Sequence, residues 1–353
     1  MRLESSTARR SRIGLVSTYP PTICGLATFA AALVDQFVLA GHKVDVVCLD
    51  DGANHATIGG PVVARHVNNA PNAVRRTASV LQRCDVVVLQ HEFGIYGGPD
   101  GDEVLPLLDA ISAPVVVVVH TVPLVPTPHQ REVLVAVCER ADRVVVMTDT
   151  ARDRLLSLYP VDGSIVSTIP HGAASPTPRV VGTIGEVSAM GPDLLTWGLL
   201  GPGKGIEHVI DALALLAGEG LRPRYTVSGV THPNVLAHFG DEYRHSLMQQ
   251  AHRQGVAGSV TFDATYRSVP ALTAFVASAK VVVLPYDSRD QVTSGVLVDA
   301  VAAGRPVIAT AFPHAVELLS SGAGIVVPHG DVTALADAIR TVFREPAVRD
   351  AMA

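Results

Sequence analysis

Apolar positions along the chain fall into short β-branched runs separated by longer stretches of helical period. Runs of this kind, without alternating polar positions, belong to parallel strands buried on both faces, and the intervening segments to the helices that cover them. In the first half the pattern predicts strands over 13–17, 44–48, 86–89, 115–120 and 144–147. Between the first two of these lies a helix over 28–39, which Gly41 stops in the C′ position. A break follows where Pro170, Gly172, Ser175, Pro176 and Pro178 crowd into a stretch unsuited to a sheet. The pattern then restarts with strands over 194–199, 225–228, 260–262, 281–284, 307–310 and 324–327. Helices are predicted over 206–216, 244–254, 270–278, 295–303 and 332–343. The step Gly304, Arg305, Pro306 closes one of these helices and leads into the next strand. The reading is two doubly wound α/β domains, 1–172 and 173–353, joined near 171–190. Ligands of open α/β sheets bind beyond the carboxyl ends of the strands, so functional residues are expected just after each strand, in a cleft between the two domains.

Composition narrows the classes of function. A chain of 353 residues with 48% hydrophobic and 17% charged residues builds cores easily and is not disordered over most of its length. Its 27 Lys and Arg against 33 Asp and Glu give a net charge of −6, so no overall basic field attracts nucleic acid. Cys24, Cys48, Cys84 and Cys138 all lie in the first half without Cys-x-x-Cys spacing, which suits a reducing, cytoplasmic setting rather than a disulfide framework or a paired metal site. No apolar run approaches the roughly 18 residues of a spanning helix. Arg2, Arg9, Arg10 and Arg12 are not followed by an apolar region, so they do not open a signal peptide. A solvated tail is expected, with peripheral contact to anionic lipid at the inner membrane face as the other use for such arginines.

The strand ends carry the chemistry. After the first strand only Gly25 stands where a dinucleotide-binding loop needs three glycines, which disfavours a nicotinamide enzyme. Gly25 either eases a tight turn or lets a phosphate or sugar approach the backbone at a helix start. Gln90, His91 and Glu92 follow the third strand and His120 ends the fourth, where an imidazole can serve sugar hydroxyls or developing charge. The spacing of His91, Glu92, His120 and His129 is not that of a metal site. In the second half Gly198, Gly203, Lys204 and Gly205 form a glycine-rich loop with one lysine between a strand and a helix. Free backbone N–H groups, a helix N-terminus and an ammonium converge there, which is an anion cradle. The spacing nearly matches a Walker A loop, but Gly205 replaces the Ser or Thr that would hold magnesium, so phosphate binding without a metal is expected. A second cradle runs from Pro285 through Arg289 and Gln291 to Thr293, Ser294 and Gly295, which open a helix carrying Asp299. That carboxylate is placed to accept from paired ribose hydroxyls.

Taken together these segments resemble glycosyltransferase family 4, over nearly the whole chain and most closely in the second half. The family's lysine loop is similar to Gly198 through Gly205. Its Glu-x₇-Glu segment is matched by Pro285, Gln291, Ser294, Gly295 and Asp299, its first-domain histidine by His120, and its Ile-Pro-Asn-Gly hinge by Ile169, Pro170, His171 and Gly172. Thr231, His232, Pro233 and Asn234, with 240–244 and 291–295, look like one branch of the family. The resemblance implies a GT-B fold of two Rossmann-like domains and a retaining transfer of a hexose, mannose before glucose. The donor would be a nucleotide-diphosphate sugar such as GDP-mannose or UDP-glucose, with no cofactor and no metal. The acceptor would be a glycan, a glycolipid or a small molecule.

The same resemblance implies roles residue by residue. His120, Lys204 and Gln291 would be catalytic. Gly198, Gly203, Lys204, Gly205, Arg289, Thr293, Ser294, Gly295 and Asp299 would bind the donor, with free N–H groups at Ser294 and Gly295. Gly25, His91 and Glu92 would lie on the acceptor side. The chain departs from the family at Leu199, where an arginine usually partners the lysine, and at Gln291 and Asp299, where it has glutamates. It also ends soon after Arg344, where the family usually has a further helix crossing back to the first domain. Because of the departures, a non-catalytic nucleotide-sugar-binding partner of an active enzyme stays open beside the transferase, as do a nucleotide-sugar epimerase and a sugar phosphorylase on a similar frame.

Overall fold

The computed structural model describes residues 10–50, 57–173 and 191–353. Arg2, Arg9, the prolines 176 and 178 with Ser175, and most of the joining segment lie outside the described residues. The chain divides into two compact units, 1–170 and 171–353, so the division falls two residues before the expected 172/173.

In the first unit the elements run β1 (Arg12–Ser17), α1 (Gly25–Leu39), β2 (Lys43–Asp50), β3 (Val62–Val67), α2 (Ala73–Leu81), β4 (Val86–His91) and α3 (Val104–Ala110). They continue with β5 (Val115–Val119), α4 (Pro128–Glu139), β6 (Arg143–Val146), α5 (Asp149–Leu158) and β7 (Val166–Thr168). The strands form one parallel sheet of order β3-β2-β1-β4-β5-β6-β7. β5 is five valines, four of them buried, as a strand covered on both faces requires. Two strands were not visible as apolar runs. β3 is an edge strand that carries Arg65 and His66, and β7 is an edge strand of three residues. Gly41 takes φ +91° just past α1, the left-handed stop its position implied.

The second unit runs β8 (Leu194–Trp197), α6 (Ile206–Gly218), β9 (Tyr225–Ser228), α7 (Pro233–Phe239), α8 (Glu242–Arg253), β10 (Val260–Asp263) and α9 (Val269–Ser278). It continues with β11 (Val281–Leu284), α10 (Gly295–Ala302), β12 (Val307–Thr310), α11 (Pro313–Leu319), β13 (Gly324–Val327), α12 (Val332–Arg344) and α13 (Pro346–Ala351). The sheet is parallel, of order β10-β9-β8-β11-β12-β13. The strand period of two divides its core cleanly. Leu194, Val281, Val283 and Ile308 face α6, α8 and α12, while Leu195, Trp197, Val282, Leu284, Val307 and Ala309 face α9, α10 and α11.

In each sheet the chain reverses its direction of travel once, between β1 and β4 and between β8 and β11. The loops that follow these adjacent strands run away from each other to opposite faces, which opens a crevice at the carboxyl ends.

Candidate functional site

At the second reversal the ladder itself comes apart. Only Leu194 and Leu195 register with Val281 and Val282. One residue further the Thr196 hydroxyl donates to the Val283 carbonyl at 2.6 Å in place of a backbone bond, and Tyr225 donates its hydroxyl to Thr196 Oγ1 at 2.8 Å. Above this splay lies a cleft of about 460 Å³ lined by Gly203, Lys204, Tyr286, Asp287, Ser288 and Gln291. It brings together the two loops that the sequence singled out.

Gly205 makes that convergence possible. It takes φ +64°, and a Cβ there would lie 1.8 Å from the Pro285 carbonyl oxygen. A Ser or Thr would be excluded at this point by backbone contact alone. The Asp287 N–H donates to the Gly203 carbonyl at 3.0 Å and closes the same junction. Since Gly205 brings no side-chain cap, the first turn of α6 opens uncapped.

Lys204 is half-buried, its ammonium 4.4 Å above the centre of the Tyr286 ring. That face attracts a cation by about 0.5–2 kcal/mol, while burial lowers the lysine pKa. Among the described residues no carboxylate pairs with Lys204. The nearby Asp287 is held by His208 Nε2 at 3.0 Å. Tyr286 is fixed in turn: its ring stacks on Phe312, and its carbonyl accepts from Thr310 Oγ1 and from His329 Nδ1 at 2.9 Å. The ammonium therefore sits on an apolar floor with no carboxylate among the described residues to answer its charge.

The start of α10 corrects one expectation. Ser294 caps the helix with its hydroxyl, which accepts from Leu297 N at 3.3 Å, but its own N–H is not free, because it donates to His314 Nδ1 at 2.8 Å. The N–H groups left open to a ligand in the first turn are those of Gly295 and Val296, since Leu297 N–H goes to the Ser294 hydroxyl. Gln291 donates to the Thr293 carbonyl at 3.0 Å. The Thr293 hydroxyl is buried and without a partner among the described residues, the kind of atom a bound polar ligand satisfies. Arg289 is exposed, and Asp299 is half-buried on α10 about one turn past Gly295. Leu199 is half-buried and brings no charge.

Glu207, His208 and Asp287 bring three possible ligand atoms within 4.8 Å of one another. All three side chains are engaged by protein groups, Glu207 by the Tyr243 hydroxyl at 2.8 Å and His208 and Asp287 by each other.

The strand ends of the first unit are built differently. His120 is half-buried beyond β5, its Nε2 bonded to Gln90 Oε1 and its ring edge-on to Phe29 at 5.3 Å. Glu92 accepts from the Thr121 hydroxyl and from Phe93 N, and burial raises its pKa against those two bonds. His91 is 1% exposed, edge-on to Phe93, and burial pulls its pKa down to about 4. Its Nδ1 is buried without a hydrogen-bond partner among the described residues. Gly25 begins α1 with open space where a Cβ would stand, so no backbone constraint demands glycine there. The structure also adds residues that carried no role in the sequence reading: Gln90, Tyr286 and His314. Tyr286 was legible only as a neighbour of a loop, and His314 lies at the start of a seven-residue helix opened by Pro313.

Comparison with known proteins bears on both units. Residues 191–345 match the family described as Glycosyl transferases group 1, and residues 23–174 match Glycosyltransferase Family 4. A D-inositol 3-phosphate glycosyltransferase of Nocardioides sp. is 30% identical over 233 residues, 62% of this chain. The match takes in 49% of that relative, so the chain spans about half of its length. HepE of Anabaena, solved with UDP and glucose, superposes with TM-score 0.73 at 17% identity, over 97% of this chain and 92% of that one. A glycosyltransferase of Rickettsia africae gives 0.72 at 14% identity over 98% and 91%. Sucrose-phosphate synthase of Thermosynechococcus elongatus gives 0.70 at 17% over 97% and 92%. At such identities the structural likeness speaks for the fold alone, which is that of the GT-B glycosyltransferases. With both units matched by its family descriptions, the chain belongs to the group 1, family 4 glycosyltransferases.

Proposed function

We propose that this chain is a retaining hexosyltransferase that moves a sugar, mannose before glucose, from a nucleotide-diphosphate sugar to an acceptor hydroxyl. The observation that carries the reading is the Lys204 ammonium, held over Tyr286 without a carboxylate partner among the described residues, at the reversal point of the second sheet. The leaving nucleoside diphosphate gains negative charge as the glycosidic bond breaks. Preorganised donors aimed at that charge lower the barrier because they need not reorganise during the reaction. Lys204 and the first turns of α6 and α10 supply them. In this reading no divalent ion is required. Gln291 contacts the donor sugar, the Thr293 hydroxyl and the Gly295 N–H meet phosphate oxygens, Arg289 reaches the diphosphate from the rim, and Asp299 accepts from the ribose. His120 and Glu92 serve the reacting sugar and the acceptor.

HepE, solved with UDP and with UDP-glucose, supports a nucleotide sugar as the partner. The preference for a mannosyl donor rests on the branch resemblance at 231–234, 240–244 and 291–295. A glycan, a glycolipid or a small molecule would accept the sugar, in polysaccharide synthesis among other settings. Four unbridged cysteines fit a cytoplasmic location, and the inner membrane face is where a glycolipid acceptor would be met. No helix among the described residues is long and apolar enough to cross a membrane.

The half-buried Leu199 and the Gln291 side chain bonded to its own loop favour a second reading, a nucleotide-sugar binder without turnover. Thermal melting with GDP-mannose and UDP-glucose, followed by release of labelled sugar from the donor that binds, separates the two. A raised Tm with sugar release is expected. A raised Tm without release selects the second reading, and no shift with either donor overturns both.

A further inference from the structure

The two loops of the donor cleft meet in antiparallel register. Gly203 accepts from the Asp287 N–H at 3.0 Å, and a Cβ on Gly205 would lie 1.8 Å from the Pro285 carbonyl oxygen. Lys204 and Tyr286 are the residues between these two contacts, so the backbone sets the lysine opposite the ring before any side-chain attraction acts. The ammonium lies 4.4 Å from the ring centre. Tyr286 is 2% exposed and stacks on the fully buried Phe312, with ring centres 5.4 Å apart. Packing and the backbone hold this ring, since its hydroxyl is buried without a partner among the described residues. Asp287, the acid beside it, is bonded to His208 Nε2 at 3.0 Å.

We propose that Tyr286 is a positioning residue, whose ring face holds the Lys204 ammonium over the cleft, still charged, for the diphosphate of a nucleotide sugar. The inference rests on the donor reading given above and deepens it. A lysine stem loses conformational freedom when it is fixed, so an ammonium that waits for a ligand needs something to hold it. A carboxylate would do so by neutralising the charge, and an incoming diphosphate would have to displace that acid. An aromatic face attracts the ammonium through its quadrupole and leaves the net charge in place. Burial works against the charged form of Lys204, and the ring face works for it. Leu199 brings no charge to this loop, so the positioning of one lysine carries more weight here.

The test varies the electronics of the ring and keeps its shape. Tyr286→Phe is the reference, and mono-, di- and trifluorinated phenylalanines at the same position withdraw charge from the face step by step. Calorimetric titration of each full chain with UDP-glucose and GDP-mannose gives the affinities. Affinity should fall with each added fluorine, by about 3–30-fold across the series, the range to which a cation–ring attraction converts. In the Lys204→Ala background the same series should be flat, because the ring acts through the lysine. Tyr286→Leu should fall at least as far as the most fluorinated ring, and the fluorinated series decides should the leucine variant fail to fold. Equal affinities across the series overturn the inference and leave the donor reading standing. A decline carried undiminished into Lys204→Ala also overturns it, since the ring would then act on the ligand or the fold directly. No binding of either donor by the parent chain overturns the donor reading and the inference with it.

Discussion

The two units present their strand ends in opposite electrostatic states. At the reversal point of the second sheet a lysine lines a cleft with no acid paired to it among the described residues, and a buried hydroxyl without a described partner lies in the adjoining loop at Thr293. In the first unit His120 bonds the Gln90 amide oxygen and Glu92 the Thr121 hydroxyl, while Gln90 Nε2 and His91 Nδ1 at the end of β4 are buried without a partner among the described residues. The same architecture thus makes one end where a cation is left without an acid among the described residues and another where polar side chains bond mainly to each other. The first suits an anion and the second suits hydroxyl groups. Two similar folds become two sites through which partners each loop leaves unpaired, not through the sheets beneath them.

Lys204→Ala should bear hardest on this contrast. Removing a preorganised donor costs about 2.7–4 kcal/mol of barrier, so sugar transfer should fall about a hundredfold or more while the melting temperature holds. Turnover within a few-fold of the parent would erase the distinction between the two ends. Gly205→Ala comes next. A side chain forced into a left-handed conformation and against the Pro285 carbonyl should cost about 1–3 kcal/mol, a fall in Tm of about 2–4 °C for each kcal/mol in a unit of this size. An unchanged melt would mean that the two loops do not meet backbone to backbone. The smallest effect at neutral pH is that of His91→Leu. Its folded pKa of about 4 lies below the value near 6.5 of an unfolded histidine, so the unfolded state binds more protons between them. The stability from this residue is complete above about pH 6.5 and drains as pH falls toward 4, with a slope of up to about 1.4 kcal/mol per pH unit. Chemical denaturation across that range should show a shallower acid decline in His91→Leu; an equal decline would mean that the imidazole is not enclosed.

The sequence reading reached the fold because buried parallel strands write themselves as continuous apolar runs. β9, β11, β12 and β13 begin and end where the runs do. It overlooked β3, whose edge position lets Arg65 and His66 remain in the strand, and the short helices α7 and α11, whose first residue is a proline. Proline tolerates the first helical position because its missing N–H would be unpaired there anyway, so Pro233 and Pro313 are start signals that carry no apolar period. At the site, the glycine-lysine loop was legible from spacing. That Gly205 answers to a carbonyl 80 residues later, or that Ser294 spends its N–H on His314, was not.

Local pattern was sufficient to establish that the chain forms two parallel α/β units, and that any chemistry lies at their carboxyl ends, because strand burial and chain reversal are properties of contiguous segments. Only the tertiary structure decided which charges are left without a described partner and which N–H groups stay open. Those states depend on hydrogen-bond partners and burial contributed by distant segments, and a side chain's neighbours across a fold leave no mark on its neighbours in sequence.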